Sequence, residues 1–183
     1  MIAYDLIGQT PLVLLESFSD ENVKIYAKLE QFNPGGSIKD RLGKYLIEKA
    51  IDEGRLKEGD TIVEATAGNT GIGLAIASNR HKVKCIIFAP EGFAEEKISI
   101  MKALGADVRR TPKAEGMTGA QQEALAYATR YGYLYMNQFE TKDNPGAYTQ
   151  TLAKQLTDEL SHIDYFVAGV GSGGTFTGVA QHL

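Results

Sequence analysis

The chain has 183 residues, 43% hydrophobic and 23% charged, with a formal net charge of −4. That balance describes an ordinary folded domain and gives no bulk electrostatic attraction to nucleic acid or an anionic membrane. The only cysteine, Cys85, excludes an internal disulfide framework and a cysteine-rich metal site.

The opening MIAYDLIGQTPLV has neither a basic n-region nor a signal-peptide core, and the longest apolar run, 85–90, is far too short to span a bilayer. A cytoplasmic location is therefore expected, with no membrane and no nucleic-acid partner. The segment 23–30, VKIYAKLE, alternates Val23, Ile25, Ala27 and Leu29 and predicts a strand. NPGGSIKDR follows. Its Pro34-Gly35-Gly36 is a turn, Ser37 is a helix N-cap, and Asp40 approximates the acid of a capping box. Beyond it Ile38, Leu42, Tyr45, Leu46 and Ala50 share one helical face, with Gly54 as the stop.

TIVEA (61–65) predicts a strand, followed by the loop TAGNTG (66–71) and a short apolar helix, IGLAIAS. VKCIIFA (83–89) is a buried strand that makes Cys85 an inert core thiol. A helix is expected from about 94 to 104, closed by Gly105, and ADVRRT (106–111) is the next strand. Over 118–131 Ala124, Tyr127, Ala128 and Tyr131 fall on one face, with Gly132 at the C′ position. The short strand YLYM precedes MNQFE, a helix covers roughly 147–160, and DYFVAGV (164–170) is a strand feeding GSGGT (171–175). Strands alternating with helices give an α/β fold with a largely parallel sheet. The chain reaches Leu183 about two turns into a helix, so a longer native protein is expected.

Two places combine a strand, a glycine-rich turn and a helix start, a geometry that offers backbone N–H groups to an anion. Each is equally a tight βα connection; two in one short chain favour a ligand with two anionic groups. GVGSGG also satisfies G-x-G-x-x-G through Gly169, Gly171 and Gly174, leaving an NAD-binding dehydrogenase as a rival. Lys39 decides between them. It occupies a first helical turn, where a cation is disfavoured by about 0.3–1 kcal/mol. That is less than the roughly 1.4 kcal/mol of one pKa unit. Position alone cannot make the amine neutral; burial or an aldehyde partner must supply the rest. Amine, phosphate cradle and second anion loop together suit pyridoxal 5'-phosphate. His81, His162 and His182 lack metal-ligand spacing and are assigned to the surface, so no metal site is expected. Gln138 lies where a parallel strand would end, a common place for ligand contacts.

With LIGQTPLV, NPGGSIKDR, TAGNTGIG, MNQFE and GVGSGGTFTGV in this order, the chain resembles the cysteine synthase/cystathionine β-synthase family of fold type II pyridoxal-phosphate enzymes. The resemblance implies two open, mostly parallel three-layer αβα subdomains of the tryptophan synthase β-like fold, the second incomplete here. Residues 38–146 would form the small substrate-binding subdomain. Residues 1–37 with 147–183 would begin the larger cofactor-binding one. Lys39 would form the internal aldimine and shuttle the Cα proton, and Asn69 would bond the cofactor's ring hydroxyl. Thr66, Ala67, Gly68, Asn69 and Thr70 would bind the substrate carboxylate, assisted by Gln138. Gly171, Ser172, Gly173, Gly174 and Thr175 would hold the phosphate. The implied reaction is β-replacement on O-acetylserine or serine by sulfide or homocysteine, in a homodimer. Ala67 stands where most sulfhydrylases of the family have serine, and TAGNTGIG with YAKLE and GSGGTF resembles the branch making cystathionine from O-acetylserine. A non-catalytic binding fragment of the same fold is the remaining alternative.

Overall fold

The computed structural model describes residues 2–93 and 95–183. Its centre is a four-stranded parallel sheet: β3 (Thr61–Ala65), β4 (Lys84–Pro90), β5 (Asp107–Thr111) and β6 (Leu134–Tyr135), in the order β5-β4-β3-β6. A separate antiparallel pair joins β1 (Leu12–Leu14) to β2 (Tyr26–Lys28). The expected strand over 23–30 thus shrinks to three residues. Its flanks Val23 and Ile25 are 54% and 41% exposed, so they add no apolar burial that would extend the pairing.

Helices cover both faces of the parallel sheet. The period-2 geometry of a strand sends Val63 and Ala65 of β3, with Ile86 and Phe88 of β4, to one side. There they pack against Ala120, Ala124 and Ala128 of α4 (Gly116–Tyr131). Ile62, Cys85 and Ile87 face the opposite layer, which contains α1 (Lys39–Asp52), α2 (Asn69–Arg80) and α3 (Glu95–Ala103). Leu42 and Ile47 of α1 are fully buried in that layer. Each contributes about 1.5–3 kcal/mol by leaving water. Burial on both faces explains why β4 reads as a near-continuous apolar run, while β3 is equally buried but carries Glu64 among its apolar residues. Cys85 is buried, and its thiol is pushed up to about 12 by that burial, as an inert core cysteine requires.

Gly132 ends α4 in the left-handed conformation at φ 67°, as its C′ position predicts. Gly105 follows α3 at φ 90°; the expected start of that helix at position 94 lies outside the described residues. The helix expected over 147–160 begins earlier. α5 (Asp143–Tyr148) passes through a π turn (Thr149–Ala153) into α6 (Lys154–Glu159). Asn144-Pro145-Gly146 has the composition of a turn, but proline in a first helical turn leaves no intrahelical donor missing.

The expected strand over 164–170 does not form. No described strand pairs with it, and Tyr165 and Val167 are both 90% exposed. Strand propensity needs a neighbouring ladder to be realised, and this segment has none. His162 and His182 are exposed as expected. His81 is instead half-buried, edge-on to the Tyr4 ring at 5.6 Å. No helix among the described residues is long and apolar enough to cross a membrane.

Candidate active site

The start of α1 is built differently from a capping box. Ser37 Oγ accepts the Lys39 N–H at 3.2 Å, while the Asp40 carboxylate turns back to the Gly35 N–H. Asp40 is fully buried, and burial raises its carboxyl to about 6. Next to it Arg41, only 2% exposed, donates from Nε and Nη2 to the two carboxylate oxygens of Glu30, each at 2.8 Å. Nη2 also reaches the Gly8 carbonyl, Thr10 Oγ1 and Gln155 Oε1. Burial would raise the Glu30 carboxyl, but the Arg41 bonds and charge outweigh it and hold Glu30 below its ordinary value. The Arg41 guanidinium, two residues after Lys39, thus ties α1 to Gly8, Thr10, Glu30 and Gln155.

Both glycine-rich segments are shorter as loops than expected, because a helix begins inside each. Asn69, Thr70 and Gly71 form the first turn of α2, leaving Thr66, Ala67 and Gly68 as the connection. Thr66 Oγ1 accepts the Gly68 N–H at 3.1 Å and shapes that turn. Gly174 and Thr175 likewise open α7 (Gly174–Ala180), behind Gly173 at φ 81°. The second segment lacks the strand that a Rossmann fingerprint requires before its glycines.

Lys39 Nζ donates to Ser172 Oγ at 3.1 Å, joining two motifs 133 residues apart. The Tyr148 ring lies 5.9 Å from the same amine. Burial lowers the Lys39 pKa; the negative charge of Glu64 partly opposes it. The desolvation that the dipole argument demanded is therefore supplied by the fold. On the other side, Thr70 Oγ1 donates to Gln138 Oε1 at 2.6 Å. Asn144 Nδ2 joins the halves, donating to the Gln138 carbonyl at 2.7 Å and to Ser172 Oγ at 3.0 Å.

The structure thus gathers Lys39, Thr70, Gln138 and Ser172 into one network. Asn69 and Thr66 sit beside it at the head of α2. Gly171 has open space where a side chain would stand, and Thr175 lies in the first turn of α7. Three participants were not anticipated from sequence: Glu64, Asn144 and Tyr148. Glu64 and Asn144 are 0% and 2% exposed polar residues, and Tyr148 is fully buried, its hydroxyl without a hydrogen-bond partner among the described residues. Asn144 carried one usable signal, the same N-P-G that opens α5.

A family model described as "Pyridoxal-phosphate dependent enzyme" matches residues 3–183. The O-acetylserine dependent cystathionine beta-synthase of Bacillus subtilis (strain 168) is 50% identical over 182 residues, 98% of this chain and 59% of that protein. A cysteine synthase of Helicobacter pylori (strain ATCC 700392 / 26695) is 48% identical over 98% of this chain and 60% of its own. The crystal structure of an O-acetylserine dependent cystathionine beta-synthase from Helicobacter pylori superposes with a TM-score of 0.92 at 46% identity, covering 100% of this chain and 62% of that one. The chain therefore spans about 60% of the length of these relatives. On the family model, the relatives and the shared fold, the chain belongs to the family of pyridoxal-phosphate dependent enzymes.

Proposed function

We propose that the protein carrying this chain catalyses β-replacement on O-acetylserine or serine by a sulfur nucleophile, giving cysteine from sulfide or cystathionine from homocysteine. The observation that carries this reading is the Lys39–Ser172 contact, which sets a half-buried amine against the glycine-rich turn.

The residues fit pyridoxal phosphate on two counts. The amine is held by a neutral hydroxyl, so it is free to react with an aldehyde. The glycine-rich turn leaves open space at Gly171, where its backbone can come close to a ligand. When bound, the cofactor supplies an electron sink for charge developing at the substrate's α-carbon.

The chain's own residues supply the rest. Lys39 Nζ would hold the cofactor and then take and return the proton at the substrate Cα. It needs to be neutral to accept that proton, and its lowered pKa favours this. The backbone N–H groups at the head of α2, with Thr66, Ala67, Gly68, Asn69 and Thr70, would bind the substrate carboxylate where the helix presents positive partial charge. Gln138, locked to Thr70, would close that subsite. Asn69 would bond the cofactor's ring hydroxyl, and 171–175 would hold the phosphate. Ala67 in TAGNTGIG supports O-acetylserine and homocysteine as the substrate pair, and the 50% identical relative is named for that acceptor.

The intact protein should be yellow with pyridoxal phosphate. It should lose the visible band as Lys39→Ala, and turn over O-acetylserine with homocysteine faster than serine with either nucleophile. Cysteine from sulfide without any cystathionine from homocysteine would move the assignment to a plain cysteine synthase. A colourless protein that binds NAD would overturn it.

A further inference from the structure

Glu64 stands out among the buried groups, because the strand that carries it did not need a charge there. Ile62, two residues earlier on the same face of β3, is fully buried and apolar. A carboxylate in that layer is unfavourable unless hydrogen-bonded. Among the described residues no cation forms an ion pair with it. Its two oxygens instead take backbone N–H groups, that of Ala65 at 2.8 Å and that of Gln138 at 3.1 Å. Both acceptor oxygens are thus used, one locally and one across 74 residues.

The Gln138 bond has consequences on both sides. Asn137 just before it adopts a left-handed backbone, φ 47°, which few non-glycine residues adopt and asparagine tolerates best. That conformation is unfavourable for a free loop and is held where the next N–H is captured. Gln138 itself is 5% exposed, its side chain on Thr70 and its carbonyl on Asn144, which reaches Ser172. Gln138 is therefore the piece shared by the head of α2 and the glycine-rich turn near Lys39.

We propose that Glu64 is a positioning residue: by holding the Gln138 N–H it fixes the Gln138 side chain against Thr70 and so presets the subsite for the substrate carboxylate. This rests on the β-replacement reading above. It assigns Glu64 no contact with substrate; the effect passes through Gln138. A mere sheet staple between β3 and β6 would share the hydrogen bonds but would act on stability alone.

The test uses the intact protein loaded with pyridoxal phosphate and titrated with O-acetylserine. Glu64→Gln replaces one acceptor oxygen by a donor and frees one N–H. It should keep the visible cofactor band while the KM for O-acetylserine rises at least tenfold and kcat changes less than threefold. Thr70→Val should act on the same KM. Gln138→Ala should act on it too, and the Glu64→Gln/Gln138→Ala double variant should be no worse than Gln138→Ala alone, because Glu64 acts only through the Gln138 side chain. Should Glu64→Gln fail to fold, Gln138→Ala keeps the backbone N–H on Glu64 and removes only the side chain; it should reproduce the KM effect with the cofactor band retained. Glu64→Gln that lowers the melting temperature and leaves KM alone overturns the inference, as do Glu64 and Gln138 effects that multiply independently, or Gln138→Ala with wild-type KM. Failure of the underlying reading looks different: the wild-type protein would then show no cofactor band or no response to O-acetylserine.

Discussion

Gly73→Ala is the sharpest test of how the fold places Lys39. Helices α1 and α2 cross backbone against backbone at Gly43 and Gly73. A Cβ at Gly73 would lie 2.9 Å from the Lys39 carbonyl carbon and 3.1 Å from Asp40 Cα, and closer still to the Lys39 carbonyl oxygen. Ordinary contact begins at 3.4 Å, so the helices must part by at least 0.5 Å (3.4 − 2.9). None of these atoms is a side-chain end that can rotate away. Overpacking of this kind costs about 1–3 kcal/mol. At roughly 2–4 °C per kcal/mol for a chain of this size, the melting temperature should fall by several degrees. The displaced residue is Lys39 itself. A misplacement of order 1 Å at a reacting group costs roughly a hundredfold in rate, so turnover should fall at least about tenfold here. Calorimetry of the cofactor-free protein and steady-state rates of the loaded one read the two effects separately. A Gly73→Ala protein with wild-type melting temperature and wild-type kcat would refute the claim that backbone contact sets the position of the amine.

Two further predictions concern the buried charges. Arg41→Met should destabilise by about 3–5 kcal/mol in urea titration, because it strands Glu30 without its partner, and Arg41→Met with Glu30→Leu should recover a large part of that loss. Glu64, raised by burial from 4.5 to about 7, makes stability pH-dependent with a definite sign. The stabilisation is complete below pH 4.5 and is lost as pH rises through about 7, and a shift of this size corresponds to roughly 3 kcal/mol. Asp40, raised to about 6, acts in the same direction and is present in both proteins compared. Urea unfolding of the cofactor-free protein between pH 5 and pH 8 should therefore show a steeper fall for the wild type than for Glu64→Gln; parallel slopes would sink the assignment.

The regular part of this architecture is legible in the sequence. β4 follows from its apolar run, β3 from the short segment TIVEA ahead of a glycine-rich loop, and the end of α4 from one glycine placed after the last periodic residue. The residues that join the site were not legible, for one physical reason. Glu64, Arg41 and Asn144 are polar types that periodicity assigns to solvent, and their burial depends on partners 74, 11 and 28 positions away. Gly73 sat unremarked inside IGLAIAS, because a close backbone crossing leaves no trace in the pattern of one helix. The segment 164–170 shows the converse: its strand composition is plain, and without a neighbouring ladder it stays exposed.

The arrangement around Lys39 also answers how an amine can be poised for chemistry next to a buried carboxylate. A carboxylate at hydrogen-bond distance would favour the charged ammonium and hold the proton that the reaction needs removed. Here the amine's hydrogen-bond partner is a serine hydroxyl, which places no net charge on it. Glu64 lies near enough to act through its charge, yet it forms no ion pair with Lys39, and its oxygens accept the backbone N–H groups of Ala65 and Gln138. Burial therefore wins over attraction, and the Lys39 pKa falls. The helix dipole, too weak to do this by itself, acts in the same direction. What distinguishes this lysine from an ordinary one at a helix start is its burial, together with the neutrality of the group that holds it.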